Sequence, residues 1–216
     1  MQINSIVVVS NGEFKNSSSL IKLLHEADII IAADGGCNWL YNNNIAPHYL
    51  IGDMDSILPE ILNKMKELEC KIIQFPVEKN ETDTELALIK AFEMNAKKIT
   101  IIGALGLRID HAIANICLLS LKSDFEQNIR IFDGYSYIYL IKSSIHLHGN
   151  IGDLISLIPF SGNVEGIQTT GLKYSLNREC LIASRSRGIS NVLIEKNAYV
   201  SLKKGLLMVV HNISKY

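Results

Sequence analysis

The first two-thirds of the chain alternates short apolar runs with amphipathic stretches. Each run is rich in isoleucine and valine, which is typical of a strand that is buried on both faces. The predicted strands are Ser5–Val9, Asp28–Ala33, Tyr49–Gly52, Lys71–Phe75, Lys98–Gly103 and Ile129–Phe132. Between them, apolar positions recur at helical spacing, which predicts the helices Ser17–His25, Pro59–Leu68, Thr82–Asn95 and Asp110–Leu121. This alternation indicates a mostly parallel sheet flanked by helices.

Two of these helices begin with recognisable signals. Pro59 suits a first helical turn, and Ser56 upstream of it is a candidate cap. Thr82 followed by Glu85 has the spacing of a capping box. Both signals support helix starts close to these positions.

The pattern changes after about Lys142, where short strands follow one another without a helical period between them. These predicted strands are Ile145–Leu147, Asp153–Pro159, Val164–Thr170, Cys180–Ala183, Asn191–Glu195, Tyr199–Leu202 and Leu206–Val210. Turn signals separate them, as at Gly149, Gly162 and Gly205. The sequence therefore predicts an α/β domain over residues 1–141 and an all-β sandwich or barrel over residues 142–216.

The composition is that of a globular protein. Hydrophobic residues make up 48% of the 216 residues, which is enough to bury a core and excludes a disordered chain. The net charge is −1, and a protein that neutralises nucleic-acid phosphates normally carries a basic excess, so no nucleic-acid partner is expected. Residues 1–141 hold 18 acidic and 12 basic side chains, and residues 142–216 hold 4 and 9. The charge thus divides where the pattern does.

The cysteines and the apolar runs indicate a cytoplasmic protein with no membrane partner. Cys37, Cys70, Cys117 and Cys180 are far apart and form no CxxC pair, so free thiols are expected. The start of the chain has no basic n-region of a signal peptide. The longest apolar runs are much shorter than the roughly 18 residues that span a bilayer.

Acidic residues follow several of the predicted strands in the first part of the chain. Ligands of open α/β sheets bind at the carboxyl ends of strands, so these loops are the candidate site. Asp34 follows the second strand, and we expect Gly35 and Gly36 after it to adopt positive φ and to let the backbone approach a phosphate. An ordinary strand-to-helix turn explains the same residues.

Two further segments carry closely spaced carboxylates. Asp53 and Asp55 lie one residue apart after the third strand, and Mg²⁺ prefers oxygen ligands of this kind. A solvated acidic turn is the alternative. Asp83 opens the next predicted helix and is a candidate third ligand for the same cation, although helix capping and the helix dipole also explain an acid there.

The fourth segment is the glycine-rich loop that follows Ile102. It delivers Arg108, whose forked guanidinium suits phosphate oxygens, and Asp110, which is expected to hold that guanidinium or to position substrate. Asp110 also suits the helix dipole without any other role. His111 is as suited to packing at the helix start as to catalysis. Neither a GxGxxG nor a GxxxxGK[ST] motif occurs in the chain.

Taken in order, these segments resemble the thiamine pyrophosphokinase family. The family's ADGG turn, GDxDS loop, TDxE helix start and G-x-R-x-D-H loop match Ala33–Gly36, Gly52–Ser56, Thr82–Glu85 and Gly106–His111. Its TGLKY/W and G-x-SN signatures match Thr170–Tyr174 and Gly188–Asn191. The resemblance covers nearly the whole chain, and the departures from the family pattern are Asn80, Leu107, Arg185 and Arg187.

The resemblance implies an α/β catalytic domain, a β-sandwich that binds thiamine, and a homodimer with active sites between the subunits. It implies Mg²⁺ as cofactor, held by Asp53, Asp55 and Asp83. The residues implied for ATP and its phosphates are Asn11, Asp34, Gly35, Gly36, Thr82, Arg108, Asp110 and His111. Those implied for thiamine are Tyr174, Ser190 and Asn191, since an aromatic face suits a cationic heterocycle.

The implied reaction moves a diphosphoryl group from ATP to the hydroxyl of thiamine and releases AMP. Asp83, Arg108 and Asp110 are the implied catalytic residues, with Asp83 the nearest candidate for a general base. Three alternatives stay open: another Mg²⁺-dependent phosphoryl or nucleotidyl transferase, a non-catalytic thiamine or nucleotide sensor, and a purely structural α/β protein. A structural protein gives no reason for acids at successive strand ends.

Overall fold

A computed structural model of the chain describes residues 2–15, 17–121 and 128–213. The chain forms two compact units, Met1–Gly134 and Tyr135–Tyr216. None of the helices in these ranges is long and apolar enough to cross a membrane.

The first unit is a parallel sheet with helices along the chain between its strands. Its elements are β1 (Ser5–Val9), α1 (Ser17–His25), β2 (Ile29–Ala33), α2 (Gly36–Asn42), β3 (Tyr49–Gly52), α3 (Pro59–Glu67), β4 (Lys71–Gln74), α4 (Asp83–Glu93), β5 (Lys98–Ile102), α5 (Ile109–Leu118) and β6 (Asn128–Phe132). Within the unit the strand order is β6-β5-β1-β2-β3-β4, and all neighbouring pairs are parallel. This architecture confirms the predicted α/β class.

Central strand β1 explains why the sequence folds this way. Ile6, Val7, Val8 and Val9 are all at most 1% exposed, so consecutive side chains on both faces of the strand are buried. Burying one such side chain stabilises a fold by about 1.5–3 kcal/mol. β1 pairs with β2 on one side and with β5 on the other, so the strand order reverses direction at this point. Loops leaving two such neighbouring strands diverge and open a crevice for a ligand.

The second unit is an antiparallel β-sandwich. Its strands are β7 (Ser136–Ile141), β8 (Ser144–His148), β9 (Leu154–Pro159), β10 (Val164–Thr170), β11 (Asn177–Leu181), β12 (Asn191–Val192), β13 (Asn197–Ser201) and β14 (Leu207–Asn212). They lie in the orders β12-β9-β14-β7 and β11-β10-β13-β8. Both sheets contribute to one apolar cluster, as Leu157 and Val209 do from the first and Ile167 and Val200 from the second. This confirms the predicted all-β C-terminal part.

Apart from shifts in the bounds of individual elements, three local features differ from the sequence predictions. Helix α2 was not predicted, because seven residues starting at a glycine pair show too little helical period. Strand β7 was not predicted either; it pairs with β14 through Ile141 and Leu207, so the compact units divide between Gly134 and Tyr135, before the predicted position near residue 142. The prediction of Ser56 as a helix cap is wrong: α3 begins after Leu58, whose side chain makes no capping bond.

Candidate active site at the carboxyl edge of the parallel sheet

A pocket of about 590 Å³ lies where the strand order of the first unit reverses. Its volume falls in the range of small-molecule sites. Residues after β1, β2, β3 and β5 line it together with the first turns of α4 and α5. Four of the acidic or glycine-rich segments singled out in the sequence therefore meet in one place.

Three aspartates converge in this pocket. Asp34, Asp53 and Asp83 each bring one carboxylate oxygen within 4.8 Å of the others. Asp34 is held by its backbone N–H, which donates to the Ile51 carbonyl at 2.8 Å, and has a φ of 42°. Gly52 lies beside two of them, and a Cβ there would come within 2.9 Å of the Asp34 Cβ and 3.1 Å of the Asp83 carboxylate. Glycine at this position lets the carboxylates approach one another.

The ammonium of Lys79 lies against this group. Its Nζ donates to Asp53 Oδ2 at 2.8 Å and forms an ion pair with Asp83 Oδ1 at 3.2 Å. The Lys79 side chain is 11% exposed, so this cation is largely withdrawn from water. One positive charge therefore partly balances three carboxylates that lie close together.

Burial and charge shift these carboxylates in opposite directions. Burial raises the pKa of Asp34 above its ordinary value of 3.8, and the nearby Asp83 and Asp55 carboxylates raise it further. Burial also raises the pKa of Asp83. The pKa of Asp53 is lowered, chiefly by the hydrogen bond from Lys79. Such displaced pKa values within a cleft are typical of a functional site.

The carboxylate group fits a divalent cation. Among the described side chains, Asp34 Oδ1 and Asp83 Oδ1 are buried oxygens that have no hydrogen-bond partner. Leaving such atoms unsatisfied is costly, and a hard cation with oxygen ligands would satisfy both. The donor set of Asp34, Asp53 and Asp83 is therefore suited to Mg²⁺.

Asp55, the third ligand implied by the resemblance, lies outside this group of three, although it lines the same pocket. Its backbone N–H donates to Asp53 Oδ1 at 3.3 Å, and its own Oδ1 accepts a hydrogen bond from Ser56 Oγ at 2.8 Å. The structure thus brings together Asp53 and Asp83 of the implied metal set, with Asp34 as their neighbour.

The glycine-rich loop after β5 also lines the pocket. The Gly12 N–H donates to the Gly103 carbonyl at 2.7 Å, and a Cβ on Gly12 would lie 2.3 Å from that oxygen. The loops after β1 and β5 are therefore joined through their backbones. Arg108 follows in this loop, and Asp110 accepts from its Nε at 3.2 Å and also from its Nη2. The Arg108 guanidinium lowers the pKa of Asp110 to about 2.

Most of the residues implied for ATP line the pocket, namely Asn11, Asp34, Thr82, Arg108 and His111. Asp110 reaches the site through Arg108. The prediction of positive φ at Gly35 and Gly36 is wrong: Gly35 has a φ of −55°, and the positive φ belongs to Asp34. These glycines are needed for close packing instead, since a Cβ would lie 2.3 Å from the Asn11 side chain at Gly35 and 2.2 Å from the Val9 carbonyl at Gly36.

Sequence reasoning missed several polar residues of the pocket. Ser10 Oγ and Thr84 Oγ1 lie 2.9 Å apart and join β1 to α4. The buried Asn115 donates from Nδ2 to the Ala104 carbonyl at 2.8 Å and fixes the loop after β5. Asn115 interrupts the apolar run of residues 112–118 in α5, which was a usable signal. Lys79 lies beside the acidic motif, from which the sequence prediction uses the acids alone.

The residues implied for thiamine lie in the second unit, where the structure joins their two motifs. The Tyr174 N–H donates to Asn191 Oδ1 at 2.9 Å, and Asn191 Nδ2 donates to the Tyr174 carbonyl at 2.7 Å. Asn191 is buried, whereas the Tyr174 ring is 62% exposed. Ser190 has a φ of 57° and donates from its backbone to Ser156 Oγ at 3.1 Å. Asn191 therefore holds the backbone that presents the Tyr174 ring.

Comparisons with known proteins agree across both units. Residues 20–132 match the catalytic domain of thiamin pyrophosphokinase, and residues 142–207 match its vitamin B1 binding domain. The chain is 30% identical over 213 residues to the thiamine pyrophosphokinase of Bacillus subtilis, covering 97% of this chain and 99% of that protein.

Solved structures agree as well. The crystal structure of the Bacillus subtilis enzyme superposes with a TM-score of 0.86 at 28% identity, covering 98% of this chain and 100% of that one. The thiamin pyrophosphokinase of Geobacillus thermodenitrificans superposes with a TM-score of 0.81 at 25% identity, covering 98% of both chains. With two family domains matched in order over most of its length, the chain belongs to the thiamine pyrophosphokinase family.

Proposed function

We propose that this chain transfers a diphosphoryl group from ATP to the hydroxyl of thiamine, giving thiamine diphosphate and AMP. Family membership supports a transferase of this kind. The observation that carries the proposal is the convergence of Asp34, Asp53 and Asp83 in the pocket at the switch point of the parallel sheet. Parallel sheets bind nucleotides at such points, and a carboxylate group there suits the metal that accompanies a polyphosphate.

We infer that Asp53 and Asp83 hold Mg²⁺, with Asp34 as a third carboxylate and Asp55 at the adjacent wall. Bound there, the metal would offset the mutual repulsion of the ATP phosphates. Asp34 and Asp53 directly follow two neighbouring strands of the sheet and Asp83 begins helix α4, so their positions are fixed before a ligand arrives. Preorganised charge of this kind needs little rearrangement during the reaction.

Arg108 is assigned to the transferring phosphates. Its guanidinium lines the pocket, keeps its charge at all relevant pH values and offers forked donors to phosphate oxygens. Asp110 contacts two nitrogens of that guanidinium and acts as a positioning residue. Phosphoryl transfer depends mainly on positioning and charge stabilisation, and these residues supply both. Asp83 stays the nearest candidate for a base, although a metal-bound carboxylate is a poor one.

Thiamine is assigned to the surface around Tyr174, Ser190 and Asn191 in the second unit. The exposed Tyr174 ring suits a cationic heterocycle, and the match of residues 142–207 to a vitamin B1 binding domain supports this assignment. With this division, residues 1–141 carry the catalytic groups and residues 142–216 carry the acceptor.

We also infer that the protein works as a homodimer. Ile109 and Ile113 lie on one face of α5 and are 71% and 55% exposed. Leu107, which is 91% exposed, extends this apolar surface to the wall of the pocket. A contiguous apolar surface of this kind is typical of an interaction site. A second copy covering it would lie beside the active site, as the family resemblance implies.

The direct test is AMP release from ATP and Mg²⁺, measured with and without thiamine and with the product identified by mass spectrometry. We expect AMP and thiamine diphosphate, both dependent on thiamine. Release of ADP, or ligand binding without any product, would leave the fold and site in place and overturn the proposed reaction. Chelation of the metal with EDTA should abolish turnover and excess Mg²⁺ should restore it.

A further inference from the structure

Lys79 makes more contacts than an ordinary surface lysine. Its Nζ donates to Asp53 Oδ2 at 2.8 Å and to the Pro76 carbonyl at 3.3 Å, and it lies 3.2 Å from Asp83 Oδ1. An ammonium has three donors; two of them are used in the hydrogen bonds to Asp53 and Pro76, and the contact with Asp83 is an ion pair. Two of these three partners are carboxylates of the group that we assign to Mg²⁺. The ammonium therefore occupies part of the surroundings that a divalent cation would require.

We propose that Lys79 serves as the resident counter-cation of this carboxylate group, and that a divalent cation must displace its ammonium from Asp53 and Asp83 in order to bind. This inference rests on the proposed metal-dependent function. It describes the metal-free state of the carboxylate group, and it assigns Lys79 a role in setting the affinity of that group for the metal.

The first argument for displacement of Lys79 is electrostatic. An ammonium and a divalent ion that share the same carboxylate oxygens would lie only a few ångströms apart, where their repulsion is strong. The carboxylates also need a cation when no metal is bound, since three acids lie within 4.8 Å of one another. Lys79 provides this positive charge. Its contacts with Asp53 and Asp83 must also weaken the affinity of the site for a divalent ion.

The second argument is the position of Lys79 in the pocket. The residue lines the pocket, so an ammonium that leaves the carboxylates remains at the pocket wall, beside the space assigned to the ATP phosphates. A lysine has a flexible four-carbon stem and can make this exchange without movement of the backbone. Nucleotide phosphates would then stabilise the released ammonium. Metal and nucleotide should consequently favour each other's binding, and such coupling is reciprocal.

The test measures binding of Mn²⁺ alone by electron paramagnetic resonance in wild type, Lys79→Met and Lys79→Arg. We expect Lys79→Met to bind Mn²⁺ about tenfold more tightly than wild type or tighter still. Lys79→Arg keeps the charge and should bind as weakly as wild type. Lys64→Met is the matched control, because Lys64 has an exposed ion pair with Glu67 at 2.8 Å away from the carboxylate group.

Thermal unfolding with and without Mn²⁺ gives a second measurement that does not depend on catalysis. Lys79→Met should be less stable than wild type without metal and should gain more from Mn²⁺. A non-hydrolysable ATP analogue should reduce the difference in Mn²⁺ affinity between the two proteins, because it provides a new partner for Lys79 in wild type only.

The outcomes separate this inference from the proposed function. Equal or weaker Mn²⁺ binding by Lys79→Met would overturn the role of Lys79, while the metal site itself would stand. Failure of every protein to bind Mn²⁺, with or without nucleotide, would overturn both the metal assignment and the inference. Tighter binding by Lys79→Met alone supports the displacement of Lys79 by the metal.

Discussion

At the scale of single residues, Asp83 combines burial, a raised pKa and contact with a cation. The change Asp83→Asn removes the charge and keeps the shape. We expect kcat to fall by about a hundredfold or more, because several kcal/mol of charge stabilisation is lost. The melting temperature should change little, since repulsion within the group is also relieved. Glu85→Gln, in the same helical turn but away from the pocket, is the control; equal turnover in both variants would remove Asp83 from the mechanism.

The motif and the structure differ in which aspartate joins Asp53 and Asp83. The motif assigns Asp55 to the metal, whereas the structure brings Asp34 together with Asp53 and Asp83. We expect Asp34→Asn to lose more Mn²⁺ affinity than Asp55→Asn, because the buried Asp34 oxygen has no other partner among the described residues. Titration of Mn²⁺ into each variant checks this. The reverse order would restore Asp55 to the inner ligand set.

Thiol reactivity reports on burial independently of the active site. All four cysteines are free, and burial raises the pKa of Cys37 to about 12 and that of Cys70 to about 11. Since the thiolate is the reactive form, Ellman's reagent at about pH 8 should modify the exposed Cys180 but neither Cys37 nor Cys70 in the folded protein, and all four thiols in denaturant. Rapid reaction of Cys37 or Cys70 in the folded state would contradict this burial.

The same thiols make stability depend on alkaline pH. The folded protein keeps protons on Cys37 and Cys70 that the unfolded chain releases above the ordinary thiol pKa of 9.0. The unfolded state then binds fewer protons, so their contribution to the free energy of unfolding falls as the pH rises from 9 towards 12. Urea unfolding at about pH 8 and pH 10, compared with Cys37→Ala, would measure this contribution.

Sequence reasoning identified residues whose chemical role can be recognised from a short segment of the sequence. The sequence predicts a role for Asp53 and Asp83, which the structure brings together, because carboxylates after strands or at a helix start are conspicuous. Lys79 was missed because its importance comes from two partners at other positions, one of them 26 residues away. The role of Gly36 was predicted wrongly for a similar reason: the Val9 carbonyl that it must accommodate lies on β1, far from Gly36 in the sequence.

At the scale of elements, α4 begins with a defined cap. Thr82 Oγ1 accepts a hydrogen bond from the Glu85 N–H at 3.2 Å, as the capping spacing predicted. Thr82→Ala should lower the free energy of unfolding by about 1 kcal/mol. A loss of this size lowers the melting temperature of a chain of this length by about 2–4 °C. Thr82→Ser keeps the oxygen and should recover most of the loss; equal melting temperatures for Ala and Ser would argue against the cap.

The elements themselves were predictable where burial imposes a strong pattern. The bounds of β1, α1, β3 and β10 agree with the sequence prediction, because their apolar positions have a clear period and turn residues flank them. Helix α2 has no such period; its start depends on Gly35 and Gly36 packing against Asn11 and β1. Such a tertiary contact leaves no local signal in the sequence.

At the scale of the whole molecule, the change of pattern and charge near residue 142 indicated two parts, and the structure has two compact units. The predicted division and the boundary between the compact units differ because of strand β7. This strand precedes the change of pattern but pairs with β14 of the second unit. Strand pairing between distant segments is set by the sandwich as a whole. Local periodicity therefore gave the class of each part, and the compact units divide seven residues before the predicted position.

The exposed face of α5 leads to a prediction about assembly. A second copy covering Ile109 and Ile113 would remove two large apolar side chains from water, which favours association. Light scattering after size exclusion should give twice the 24.1 kDa mass of the chain. The double change Ile109→Lys with Ile113→Lys should give a single-chain mass, because two charges would have to be buried at the contact.

Leu68→Lys is the matched control for this experiment, since Leu68 is an exposed apolar residue that follows α3. It should leave the dimer intact. If the second copy also completes the active site, the monomeric double variant should keep its Mn²⁺ affinity, because Asp34, Asp53 and Asp83 all belong to one chain, and should lose thiamine-dependent AMP release. A monomeric wild type, or a double variant that remains dimeric, would exclude α5 as the contact. A fully active monomer would show that one chain supplies the whole site.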